Sequence, residues 1–134
     1  MTRLAKHRQM LDDAVNELLR ARAWPSRSEV ICAAAGVVRE MMIERSRELV
    51  AEDVALGAVP PRECVATIAF DQALKELGGI NGQRERVVEL QFYGGMTDEE
   101  SAQVLGLSVG ETHQHSVAAK GWITARMRAR GELK

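Results

Sequence analysis

The sequence is poor in the residues that build metal sites, disulfides, membrane spans and strands. It has two cysteines, Cys32 and Cys64, with no CxxC pair and no histidine near either at metal-ligand spacing, so a zinc site is not expected. A disulfide would need an oxidising compartment, for which nothing in the chain argues. Cys32 sits in the apolar run Val30–Ala35 and reads as a small buried hydrophobe. No apolar stretch approaches the roughly 18–20 residues of a membrane span. The N-terminus starts basic, with Arg3, Lys6 and Arg8, but lacks the apolar run of a signal peptide. An excess of one charge is missing too: 18 basic and 19 acidic residues leave a net charge of −1, too little for a strong field toward nucleic acid or membrane. These absences predict a cytoplasmic protein without membrane contact, metal or cofactor. An enzyme is not expected either, because no nucleophile–base pair, metal cluster or phosphate-binding glycine loop is apparent.

Aromatic residues are scarce, and no period-2 alternation is long enough for a strand. What is abundant is Ala, Glu, Arg, Leu and Met, all helix formers. The chain therefore reads as all-α, with 134 residues enough for one ordinary domain or two small helical ones.

Six helices are predicted. The first covers about Leu4 to Ala23, with Leu11, Ala14, Val15, Leu18 and Leu19 on one face, and Trp24-Pro25 ends it. Ser26-Arg27-Ser28-Glu29 has the form of a capping box and opens a second helix to about Ala51. Within it, Met41 and Met42 read as core packing in preference to a partner groove. Gly57, Pro60 and Pro61 mark a linker over residues 54–64. It divides an N-terminal helical segment, 1–53, from a C-terminal domain, 65–134. A third helix runs from about Glu63 to Leu77, with Gly78-Gly79 as its stop, and a fourth from about Gln83 to Tyr93.

The last two helices have a distinctive punctuation. Thr97-Asp98-Glu99-Glu100 is a capping box opening a short helix to Leu105. Gly106 suits a tight left-handed turn. Ser108-Val109-Gly110-Glu111 caps a longer helix to about Arg130. Ala102, four residues before the glycine, is small enough for close helix approach, and Leu105, Leu107, Thr112, His115, Ala119 and Trp122 fall on the side that faces the core. Thr97, Ala102, Gly106 and Trp122 thus form the expected scaffold of a helix-turn-helix. The pattern alone fits an ordinary helical hairpin equally well.

A family likeness decides between them. Arg86-Val87-Val88-Glu89-Leu90-Gln91-Phe92, Tyr93-Gly94-Gly95-Met96-Thr97-Asp98-Glu99-Glu100 and Ala102-Gln103-Val104-Leu105-Gly106-Leu107-Ser108 together resemble region 4 of extracytoplasmic-function (ECF) sigma factors. Ala119-Lys120-Gly121-Trp122-Ile123 fits the end of that region and Phe70–Leu77 its entry helix, so the likeness covers about residues 65–130. Val15–Leu18 and Ala33–Ile43 resemble the second half of region 2, which in the family binds the polymerase clamp helices and opens the −10 element. The chain has no room for the earlier helices of region 2, so this segment is a truncated version.

The departures bear on function. The family's recognition helix usually opens with several basic residues, whereas here Gly110, His113 and Gln114 stand at three of those positions and Glu111 adds a carboxylate. No half of the chain is basic: residues 1–53 hold nine basic and nine acidic side chains, and residues 82–134 seven of each. Phosphate neutralisation supplies most of the affinity in ordinary DNA binding, so autonomous DNA binding is expected to be weak. Candidate DNA contacts are Ser108, Thr112, His113, Gln114, Lys120 and Arg126, with Gln114 able to pair with an adenine edge. The cationic end formed by Lys120, Arg126, Arg128, Arg130 and Lys134 serves equally to complement the helix dipole. His115 reads as a core histidine, and protonation of His113 near pH 6 would add some attraction for DNA.

Three functions fit the sequence. One is a sigma-like regulator acting on RNA polymerase core, a sigma factor or an anti-sigma factor. Another is a direct DNA-binding regulator, as a homodimer through the N-terminal helices, or a minimal sigma factor reading a −35 element. The third is a protein-binding module with a vestigial DNA face.

Overall fold

In a computed structural model that describes residues 2–132, the hydroxyl of Thr2 accepts from Ala5 N–H at 3.1 Å and opens α1, Arg3–Ala21. Trp24 then folds back, its indole N–H donating to the Leu18 carbonyl at 2.9 Å, with Arg22 stacked 3.7 Å over its ring. Ser26 caps α2, Arg27–Ala55, by accepting from Glu29 N–H. Glu29 does not reach back, so the expected capping box is only half made.

Helix α3, Arg62–Ile80, starts straight after Pro60-Pro61. It runs through Gly78 and Gly79, contrary to the expected stop, and neither glycine has a positive φ. Gly78 has a packing role, because a Cβ there would collide with the Glu85 carboxyl. The break comes instead at Asn81, whose extended backbone ends α3 and whose side chain accepts from Arg84 N–H at 3.1 Å to cap the next helix.

That helix, α4, spans Gly82–Val88 and widens over Glu89–Tyr93 into a π-helical turn, where Gly94 N–H donates to the Glu89 carbonyl. Gly95 has φ +63° and lies against the Leu4 carbonyl of α1, so it needs both the left-handed backbone and the missing Cβ. The chain ends in α5, Asp98–Leu105, and α6, Val109–Ala129. The described residues are 82% helix without a strand, an all-α fold.

The helices enclose two apolar clusters, and Ala14 of α1 packs against both. Val38 of α2 joins Leu74 and Leu77 of α3, Val88 and Tyr93 of the α4 segment, and Ala119, Ile123 and Met127 of α6 in one cluster. Full burial of a leucine such as Leu74 contributes about 1.5–3 kcal/mol. A second cluster places Leu11 of α1 and Ala34 and Ala35 of α2 against Leu90 and Met96, with Val104 and Leu105 of α5 beside them. The N-terminal helices therefore pack directly on the C-terminal ones. Met42 packs against the first cluster, but Met41 is 55% exposed. Cys32 and Cys64 are free thiols, each half-buried. Burial pushes the Cys32 thiol up from its ordinary pKa.

Arg39 pins α2 to the rest. Its guanidinium donates to Asp71 at 2.6 Å, Glu89 at 2.8 Å and Glu85 at 3.2 Å, and the Tyr93 hydroxyl donates to the same Asp71 oxygen at 3.1 Å. Burial alone would lower the Arg39 pKa, but the bond and charge of Asp71, then those of Glu89, outweigh it and raise the value. The Tyr93 hydroxyl is raised by burial first and by the Asp71 charge second.

Candidate nucleic-acid and partner interface

The α5–turn–α6 unit is held by its own backbone chemistry. Thr97 and Glu100 form a reciprocal capping box at the start of α5. Gly106 sits at φ 69°, ψ 32°, and Leu107 N–H donates back to the Ala102 carbonyl at 3.0 Å. Ser108 and Glu111 close the second box at the start of α6. Ala102 is buried, and Trp122 is half-buried against the main cluster. This is the geometry of a helix-turn-helix.

The candidate DNA contacts then separate. Thr112 is fully buried, and its hydroxyl donates to the Ser108 carbonyl at 2.9 Å. It belongs to the core and cannot reach DNA. Ser108 is exposed, but its hydroxyl is occupied by Glu111. The same bonds explain Glu111, whose carboxylate accepts from the Ser108 N–H at the positive end of α6. His113 is exposed and bonds through Nδ1 to Asp98 at 2.9 Å. Asp98 also accepts from Gln91 at 2.7 Å, and Gln91 in turn accepts from Ser116 at 2.8 Å. This chain ties α4, α5 and α6 together, and it lowers the Asp98 pKa, with the His113 bond the largest cause. His115 is half-buried, with Nδ1 unpartnered among the described residues.

Gln114, Val117 and Lys120 remain on an exposed face of α6 together with Gly110. Arg126 is not a free cation, because it pairs with Glu76 of α3 at 2.7 Å, and Arg130 pairs with the same carboxylate. Arg128 is exposed. Lys134 lies outside the described residues. The candidate DNA face is thus open, but its first three turns carry no lysine or arginine.

Two further features, besides the Arg39 cluster and the Asp98 chain, differ from what the sequence led one to expect. Arg8 of α1 makes a two-pronged ion pair with Glu100, at 2.7 and 2.8 Å, while Glu100 still serves as the cap of α5. The pair holds the Glu100 carboxyl down to about 2, chiefly through the Arg8 hydrogen bond. Glu100 was recognisable as a cap, but nothing local points to a partner 92 residues away. The second is an apolar groove of about 310 Å³ between α1 and α2, where Met10, Leu18, Val37 and Met41 lie between Asp13 and Glu17. Among the described residues no group of histidine, cysteine, aspartate or glutamate could hold a metal, and no helix is long and apolar enough to cross a membrane.

Comparison with known proteins gives one match. The model of the ECF sigma factor family fits residues 44–129, more than half of the chain. No curated protein and no solved structure matches. The region-2-like segments at 15–18 and 33–43 lie outside the matched residues.

Proposed function

Because this chain belongs to the ECF sigma factor family, whose members act in transcription initiation with RNA polymerase, we propose that it is a regulator of initiation working mainly through protein contacts. Its partners would be RNA polymerase core, a sigma factor or an anti-sigma factor, in the cytoplasm. Residues 1–53 act as the region-2-like part, joined through 54–64 to the region-4-like part at 65–134.

The observation that carries this reading is the state of the α6 tip. The helix-turn-helix scaffold is intact, yet Ser108 and Glu111 cap each other, Thr112 is buried and His113 is held by Asp98. Each phosphate contact that is lost lowers affinity and flattens its salt dependence. The groove beside Met41, apolar with an acidic rim, supports a protein partner on the α1–α2 side. A chain that occupies polymerase without gripping or melting a promoter acts as a negative regulator.

The test is reconstituted transcription from a promoter dependent on another sigma factor of the same host. Added chain should reduce initiation in proportion to its concentration, and excess sigma factor should relieve it. Promoter-specific transcription by this chain and core polymerase alone would replace the proposal with a working minimal sigma factor. A second reading, a direct DNA-binding regulator or homodimer, is favoured by the uncovered face around Gln114 and Val117. A mobility shift of genomic fragments at low salt by the chain alone would support it.

A further inference from the structure

A cleft of about 350 Å³ opens where the start of α1 meets α3, the α4 segment and α6. Its floor is aromatic: Phe70 and Phe92 stack with ring centroids 4.5 Å apart at a tilt of 37°. Met96 and Ile123 form its apolar walls. Arg3 and Lys120 stand at its rim, from opposite ends of the chain.

The charges at the rim are unequal. The Arg3 guanidinium lies 5.0 Å over the Phe92 ring, and no ion pair among the described residues uses Arg3 or Lys120. The carboxylate that also lines the cleft, Asp98, accepts from Gln91 with one oxygen and bonds His113 with the other, and it keeps its negative charge. Lys120 lies near enough to add to the lowering of the Asp98 pKa, behind the bonds from His113 and Gln91. An anion entering the cleft would meet two cations against the single charge of Asp98; it would displace no salt bridge, but Arg3 would turn from the Phe92 ring toward it.

We propose that this cleft binds a small aromatic carboxylate, its ring on Phe70 and Phe92 and its carboxylate between Arg3 and Lys120. Small-molecule sites are mostly apolar, with a few placed polar groups and volumes of roughly 300–1,000 Å³. This cleft is at the lower end of that range, which suits one or two rings and not a peptide. Offset or edge contacts with two phenylalanines favour an aromatic body. The occupant would touch α1 and α6 together and sit beside the Asp98–His113 bond, so its binding would reach the helix-turn-helix. Such binding depends on no transcriptional role and is measured without polymerase or DNA.

The test titrates the full chain with 2-naphthoate, followed by calorimetry and by the methyl NMR signals of Met96 and Ile123. The neutral 2-naphthylmethanol and the cationic 2-naphthylmethylammonium serve as comparisons. The naphthoate should shift both methyls and bind at least about fivefold tighter than the alcohol, the worth of one exposed ion pair. The cation should bind weakest. In the double variant Arg3→Gln, Lys120→Gln, the preference for the anion should vanish while the alcohol binds as before. Both residues are exposed, and Arg3→Gln alone, with a smaller loss, guards against misfolding of the double variant. No methyl shift up to the solubility limit would overturn the proposal. So would equal binding of the ammonium compound, or an anion preference that survives in the variants.

Discussion

Two polar networks in this molecule use similar residues to opposite ends. Around Arg39 the charges are buried: its side chain is 10% exposed and that of Asp71 3%. The Arg39 bonds join α2 to α3 and to the α4 segment, and Tyr93 joins the α4 segment to α3. Around Asp98 the network is open, with the His113 side chain 64% exposed, and it joins the helix-turn-helix to Gln91 of the α4 segment. Burial makes the first network costly to break, because an unpaired interior charge has no water to turn to. Exposure makes the second cheap to break, but it uses up the side chains that a promoter reader would turn toward phosphates. The interior charges are costly to unpair, while the candidate DNA face is left nearly neutral.

Breaking the interior network should have the largest effect. Arg39→Ala leaves Asp71, Glu85 and Glu89 facing one another, and it should lower unfolding free energy by about 3–5 kcal/mol in urea denaturation. Recharging the open face comes next. Gly110→Arg with Gln114→Arg adds two cations, and an added Cβ at Gly110 meets no atom within 4 Å. The slope of log affinity for duplex DNA against log salt should steepen by about 2, as read by fluorescence anisotropy. Gly106→Ala forces a Cβ into the left-handed region where nothing else obstructs it, so a loss of roughly 1–2 kcal/mol in thermal unfolding would measure the turn alone.

Two smaller effects sharpen the contrast. Glu100 has a folded pKa of about 2, below its unfolded value of about 4.3. Its contribution is complete above the unfolded pKa and is lost as pH falls from there toward 2. Glu100→Gln should therefore cost less than about 1 kcal/mol at pH 7, since the Arg8 pair is over a third exposed. The difference from the parent should disappear in unfolding curves near pH 2. His113→Ala should change stability least, by less than about 0.5 kcal/mol. NMR titration should show the Asp98 carboxyl moving up toward its ordinary value, because the His113 bond is the first cause of its lowering.

The helix-turn-helix was legible because its signals are local. Thr97 with Glu100, Gly106, and Ser108 with Glu111 lie within a few residues of each other, and each acts on its own turn of backbone. Gly78-Gly79 misled for the same reason: a glycine pair looks like a stop, but Gly78 serves Glu85 on another helix. Thr112 fell on both the core side and the candidate DNA side of the pattern, and only its burial separates the two roles. The Arg39 cluster was not legible, since its partners lie 32–50 residues away and no periodicity selects one arginine among many. The same holds for Arg126, which looked like a free phosphate contact until Glu76 of α3 was placed beside it.

Affinity capture from the native host, repeated after nuclease treatment, tests the central claim most directly. If the chain works through protein contacts, RNA polymerase, a sigma factor or an anti-sigma factor should be retained equally with and without nuclease. Retention that nuclease abolishes, or DNA retained with none of those proteins, would contradict the account.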